Sequence, residues 1–167
     1  LSSAGELLQG NKKILLSNPS GELIQIGTIS FQPQGESSRY QLHLDHQRFT
    51  DYFLSMKEMK CLEGPELWCH LPYPYQQPRT VSRDDLRWLE HDLLFMFKKK
   101  GEFGANFWNG IYYHLRVQNG LIVGEAEAVD LNLLASPPDE LTQPPIEAAE
   151  RDPLDRANRW LPDIEIR

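Results

Sequence analysis

Apolar side chains recur at every second position along several stretches of the chain, and this period of two predicts a β-rich protein. Over residues 39–45, Tyr40, Leu42 and Leu44 alternate with Gln41, His43 and Asp45. Residues 22–31 alternate as well, but the large apolar positions are Ile24 and Ile26 and then Ile29 and Phe31, so parity changes at Gly27. A glycine where period two slips predicts a bulge or sharp bend. Pro33-Gln34-Gly35-Glu36 turns the chain between these two strands, which are expected to pair antiparallel. Residues 1–21 read as an irregular lead-in closed by the turn cluster Asn18-Pro19-Ser20-Gly21, and residues 51–56 as a short apolar segment of neither clear period.

The strongest hairpin joins residues 111–118 to residues 121–130 through Asn119-Gly120. Asn-Gly between alternating runs predicts a type I′ turn and sets the register by pairing Gln118 with Leu121. Counting outward, Val117 faces Ile122, Leu115 faces Gly124, Tyr113 faces Ala126, and Ile111 faces Ala128. Large residues opposite small ones suit a face covered by a helix or by the far wall of a barrel. The other face pairs Arg116 with Val123, His114 with Glu125, and Tyr112 with Glu127.

Between the hairpins the period changes to that of a helix. Leu86, Leu89, Leu93, Met96 and Phe97 mark one face of a predicted helix over 83–99. Ser82 is placed to cap it, with Asp85 completing a box-like pair and Val81 and Leu86 forming a staple. Asp84 and Asp85 then lie at the positive end of the dipole, Lys98-Lys99-Lys100 at the negative end, and Gly101 stops the helix. Pro72, Pro74 and Pro78 break regular structure just before it.

Composition changes the picture at the C-terminus. Pro137-Pro138 and Pro144-Pro145 bracket an acidic stretch, and residues 136–167 hold eight acids and four bases of a chain with net charge −7. This divides the chain into a β-rich domain, 1–135, and a Pro-rich acidic extension, 136–167, ending in an edge strand over 163–167 with Trp160 as its anchor. Apart from the three lysines there is no basic cluster, which disfavours nucleic acid as a partner. The longest apolar run, residues 93–97, is far too short for a transmembrane segment.

Two cysteines flank a Gly64-Pro65 turn, so Cys61 and Cys69 face each other across a second hairpin. Cross-strand neighbours lie within disulfide reach, and a disulfide favours a periplasmic or secreted location; two buried free thiols are the ordinary alternative.

Candidate chemistry centres on the polar face of the Asn-Gly hairpin. Tyr112, His114, Arg116, Glu125 and Glu127 project together as candidate ligand-binding residues, and His114 with Glu125 forms a candidate catalytic pair, since a carboxylate can orient an imidazole for general-base work. A solvated sheet face laced with ion pairs is the ordinary alternative. His43, Asp45 and His46 form a second cluster but lack a third strong metal ligand, and Cys61, Cys69, His70 and His91 have poor spacing for zinc. No metal and no cofactor is expected. The aromatics Trp68, Tyr73, Tyr75, Phe103, Phe107, Trp108, Tyr112 and Tyr113 are read as core, with an aromatic-lined cavity as the functional alternative. Nucleophile-elbow, phosphate-loop, dinucleotide and zinc-helix motifs do not occur.

Three stretches resemble a group of small uncharacterised exported bacterial proteins: Cys61-Leu62-Glu63-Gly64-Pro65 continuing to Trp68-Cys69-His70-Leu71-Pro72-Tyr73-Pro74-Tyr75, then Asp92-Leu93-Leu94-Phe95, then Trp108-Asn109-Gly110-Ile111-Tyr112-Tyr113. The resemblance spans about the middle third of the chain, implies export and a paired Cys61–Cys69, and transfers no functional residue. The expectation is an α+β, β-rich fold of antiparallel hairpins, forming a sheet or incomplete barrel with one helix packed on or into it. The expected function is a non-enzymatic cell-envelope module that binds a small molecule or partner protein. A hydrolase-like enzyme using His114 and Glu125, and an interaction protein acting through the acidic tail, are the alternatives.

Overall fold

Period-two segments become strands where neighbouring strands satisfy their backbone groups, and here one sheet takes up nearly all of them. The computed structural model describes residues 7–54, 57–99, 101, 102 and 104–167. Its strands are β1 (Gly10–Ser17), β2 (Leu23–Gln34), β3 (Ser37–Leu44), β4 (Thr50–Leu54), β5 (Lys57–Glu63), β6 (Leu67–His70), β7 (Thr80–Val81), β8 (Phe95–Lys98), β9 (Gly110–Gln118), β10 (Leu121–Val129), β11 (Arg151–Pro153) and β12 (Asp163–Ile166). Among the described residues one α-helix longer than one turn, α1 (Arg87–Asp92), lies between β7 and β8. In space the strands run β4-β5-β6-β8-β9-β10-β12-β1-β2-β3-β7, and β11 pairs with the part of β10 that β12 leaves. All pairings are antiparallel, and β4 and β7 do not pair with each other, so the sheet is open rather than a closed barrel.

Alternation sorts the side chains into two cores. Ile111, Tyr113 and Leu115 of β9, Phe95 of β8, Trp68 of β6 and Leu62 of β5 join Ile14, Ile26, Ile29 and Tyr40 in the first core. Their neighbours Tyr112, Met96, Cys69 and Cys61 point the other way, into a second core closed by Leu131, Leu134 and Ile146. Helix α1 lies where both meet: Leu89 packs in the first and Trp88 in the second.

The local turn signals hold. Cys61 and Cys69 are Cα partners and are bonded, which removes the zinc reading of these cysteines with His70 and His91. The β9–β10 register is the expected one, from Gln118↔Leu121 out to Ile111↔Ala128, with Asn119 at φ 54° and Gly120 at φ 76° in the turn. The β1–β2 register shifts between Ile14 and Leu15, beside Gly27. A Cβ at Gly27 would lie 2.2 Å from the His43 carbonyl oxygen of β3, so the bulge needs a residue without a side chain.

Four expectations are corrected. Residues 10–17 form β1 rather than an irregular lead-in; residues 1–6 lie outside the described residues. Residues 51–54 of the undecided segment 51–56 lie in β4, with Ser55 and Met56 outside the described set. The terminal strand is not at an edge: β12 pairs with β10 on one side and β1 on the other, so residues beyond 136 complete the middle of the sheet.

The fourth correction is the helix over 83–99. Only Arg87–Asp92 is helical, and Phe95–Lys98 forms β8 between β6 and β9. Residues 93–96 are all buried, and an extended strand sends Phe95 and Met96 to different cores while pairing two otherwise open strand edges. Ser82 caps nothing: it exchanges backbone hydrogen bonds with Asp85 at 3.0 and 3.1 Å, while the Asp85 carboxylate takes the Arg87 guanidinium. Nor does the lysine run complement a dipole. Lys98 is buried, and its ammonium donates to the carbonyls of Glu102 and Gly104 in the turn after β8; Lys99 is exposed and Lys100 lies outside the described residues.

Candidate functional site

The open seam of the sheet follows from two local facts. Strand β7 is two residues long and covers only Ser38 and Arg39 of β3. Pro72, Pro74 and Pro78 keep the preceding segment from extending that pairing, because proline supplies no backbone donor. The Tyr40 N–H donates to the Arg79 carbonyl at 3.0 Å, so by alternation the backbone groups of Leu42 and Leu44 turn toward the same side. There they border a cleft of about 1020 Å³, whose far wall is formed by Lys60, His70, Pro72 and Tyr73 and whose end is formed by Gln77 and Arg79.

Asp92, the last residue of α1, lies at the floor of this cleft. Its Oδ2 accepts from the Tyr40 hydroxyl at 2.6 Å and lies 3.7 Å from Arg79 Nε. Burial raises the carboxyl's pKa, against the lowering effect of Tyr40 and Arg79. Burial also raises the Tyr40 hydroxyl's pKa strongly, and the adjacent Asp92 charge adds to this. Gln77 links the parts: its Oε1 accepts from the Arg79 N–H and lies 3.2 Å from the Tyr40 hydroxyl oxygen, and its Nε2 donates to Trp88 O at 3.2 Å. Arg79 is held in the left-handed region at φ 53°, which few residues other than glycine adopt without a local cost. His70 is buried, which lowers its pKa, and its Nε2 donates to the Asp92 carbonyl at 2.9 Å. Tyr73 also lines the cleft, and its hydroxyl is buried without a hydrogen-bond partner among the described residues.

The polar face of β9–β10 is assembled differently from the expectation. His114 and Glu125 are Cα partners, as the register requires, but the Glu125 carboxylate pairs with Arg116. The carboxylate nearest His114 is Glu127, 3.8 Å from Nδ1, and Glu127 is also held by Arg151 at 2.8 Å. Tyr112 leaves the group altogether. It is fully buried beneath the Arg151 guanidinium, 4.3 Å from its ring centroid, and its hydroxyl donates to the buried Glu90. Glu90 also accepts from the Leu115 N–H at 2.8 Å, which closes off that end of the sheet face. His114 lines a smaller recess of about 380 Å³ with Glu90, Arg87 and Arg151.

His43 and His46 border the seam, both exposed, and among the described residues no cluster of three or more metal-ligating side chains occurs. Of the aromatics, Trp68, Tyr73, Tyr112 and Tyr113 are core, Tyr75 and Phe107 are half-buried, and Trp108 is exposed; Phe103 lies outside the described residues. Sequence reasoning missed Tyr40, Gln77, Arg79 and Asp92 as site residues. One signal was present: Glu90-His91-Asp92 interrupts an otherwise apolar run, and polar groups buried in succession must each find a partner. No helix among the described residues is long and apolar enough to cross a membrane. The chain matches no protein-family model, no curated protein and no solved structure in the comparisons made.

Proposed function

We propose that the chain is an exported, non-enzymatic binding module that holds a small ligand in the seam between β3 and the β5–β6 end. The observation that carries this reading is the cleft itself. It has the volume of a small-molecule site and is bordered by an open strand edge, with Asp92, Tyr40, Gln77 and Arg79 converging at its floor and end. A binding role is favoured over a catalytic one because the buried imidazoles are committed to backbone groups. His70 donates to Asp92 O, while His91 donates from Nδ1 to Arg87 O at 2.8 Å and accepts the Ile146 N–H at Nε2 at 3.0 Å. The exported location rests on the Cys61–Cys69 bond, which persists in oxidising compartments.

Amide NMR of the full chain during a screen of small polar compounds tests the site. Binders are expected to move the amides of Tyr40, His43 and Arg79. If they move those of His114, Arg116 and Glu127 instead, the β9–β10 face is the site and the seam is not. Thiol titration of protein denatured without reductant tests the compartment. Two free thiols would remove the support for export.

A further inference from the structure

We infer that the ligand of the seam is a small molecule carrying more than one oxyanion group, carboxylate or phosphate; this rests on the seam being the ligand site. The chain has a net charge of −7, yet the charges along the cleft are of the opposite kind: Arg39, Lys60 and Arg79 against the single carboxylate of Asp92. That carboxylate is already engaged, since both the Tyr40 hydroxyl and Arg79 address its Oδ2. Lys60 is balanced outside the cleft by Asp51. Arg39 has no acidic partner among the described residues.

The two arginines lie on adjoining segments, one position out of direct register. Arg39 is the Cα partner of Thr80, and the Tyr40 N–H is bonded to the Arg79 carbonyl. Both guanidiniums line the cleft, where a bound anion would supply the counter-charge that the single Asp92 carboxylate does not. Guanidinium groups also match the geometry of carboxylate and phosphate oxygens through paired N–H donors. The Arg79 side chain is 57% exposed, so it reaches into the cleft from a backbone fixed by Gln77 and β3. Further along the same edge, His43 lies four residues from Arg39, about 13 Å at strand rise, and His46 follows it. Donors at both ends of the cleft suit an elongated ligand with separated anionic groups better than a single small ion.

The test is calorimetric titration of the full chain with citrate and with pyrophosphate at low ionic strength, with glucose as the uncharged probe and amide NMR to locate the site. At least one oxyanion is expected to bind and to move the amides of Tyr40 and Arg79. Arg39→Gln should weaken that binding about fivefold, and Arg79→Gln by at least as much, each with an unfolding curve recorded as a check on folding. Raising the salt should weaken binding further, as screening shortens the reach of exposed charges. Citrate binding without pyrophosphate binding assigns the ligand to the carboxylates, and the converse assigns it to the phosphates. Binding that Arg39→Gln and Arg79→Gln leave unchanged overturns the inference. So does glucose moving the seam amides when neither oxyanion does, although the seam then remains the ligand site. Oxyanion binding that maps to the β9–β10 face overturns both readings, and no oxyanion binding at all overturns the inference alone.

Discussion

Helix α1 carries two carboxylates two residues apart, each bonded to a tyrosine hydroxyl, and their surroundings differ. Glu90 bonds Tyr112 and the Leu115 N–H on the side closed by β9, where Tyr112 is fully buried. Asp92 bonds Tyr40 at the floor of the open seam, with the half-exposed Arg79 as its second partner. Between them His91 is fully buried and bonds the segment that leads to β11. The three residues fasten one short helix to β9, to the C-terminal segment and to β3. Similar pairings serve as structure where the sheet is closed over them and as part of the proposed site where it is open. What separates the two is access to solvent, not the identity of the pair.

Glu90→Ala is the most severe way to break this comparison. It strands the Tyr112 hydroxyl and the Leu115 N–H in the interior, and the expected loss is about 4 kcal/mol, or a fall in Tm of about 10 °C. Urea or thermal unfolding reads this directly. A loss smaller than that of Asp92→Ala would show that the closed pair is not the structural one.

His91 gives the next largest effect, through pH. Burial is the main cause that lowers its pKa, to about 4, so the folded protein holds the neutral ring while the unfolded chain takes up a proton below about 6.5. The contribution is therefore complete above about pH 6.5 and is lost as pH falls toward 4, to a total of about 3 kcal/mol. His70, also lowered by burial, adds in the same direction. Unfolding free energies across this range should slope downward toward acid, and His91→Gln should flatten the slope; an unchanged slope would assign it elsewhere.

Smaller changes sharpen the contrast. Asp92→Asn keeps an acceptor for Tyr40 and removes only the attraction to a half-exposed guanidinium, so about 1 kcal/mol or less is expected in a denaturation curve. Its larger effect should appear in ligand titrations. Arg116→Gln breaks the exposed pair with Glu125 and should alter stability by about 0.5 kcal/mol or less, as solvated sheet-face pairs do. A larger loss would mean that the β9–β10 face carries more of the fold's stability than its exposure indicates.

Legibility in the sequence followed the range of the interactions. Asn119-Gly120 set nine residue pairs of β9–β10 because a tight turn imposes its register on the strands beside it. The Cys61–Cys69 pairing and the slip at Gly27 were readable for the same local reason. Residues 83–99 were not. Leu86, Leu89 and Leu93 fit a helix period, but so would any segment buried on all sides, and the pattern fails as a guide once there is no solvent face. The site suffered most. The sequence marks His43 and His46 at the seam's border but not its floor, because Tyr40, Gln77, Arg79 and Asp92 meet only when β3, the proline-broken segment and the end of α1 come together.

The sequence by itself determined the β-rich class, the two hairpins with their registers, the opposed cysteines and the bulge, all through contacts between residues close along the chain. Only the tertiary structure decided that Phe95–Lys98 is a strand, that Asp163–Ile166 lies in the middle of the sheet rather than at its edge, and that the sheet stays open beside β3. Each of these depends on which distant strand has an unpaired edge, and that is a property of the assembled sheet. The seam exists for the same reason: a two-residue β7 cannot cover β3, and the groups left along it form the cleft.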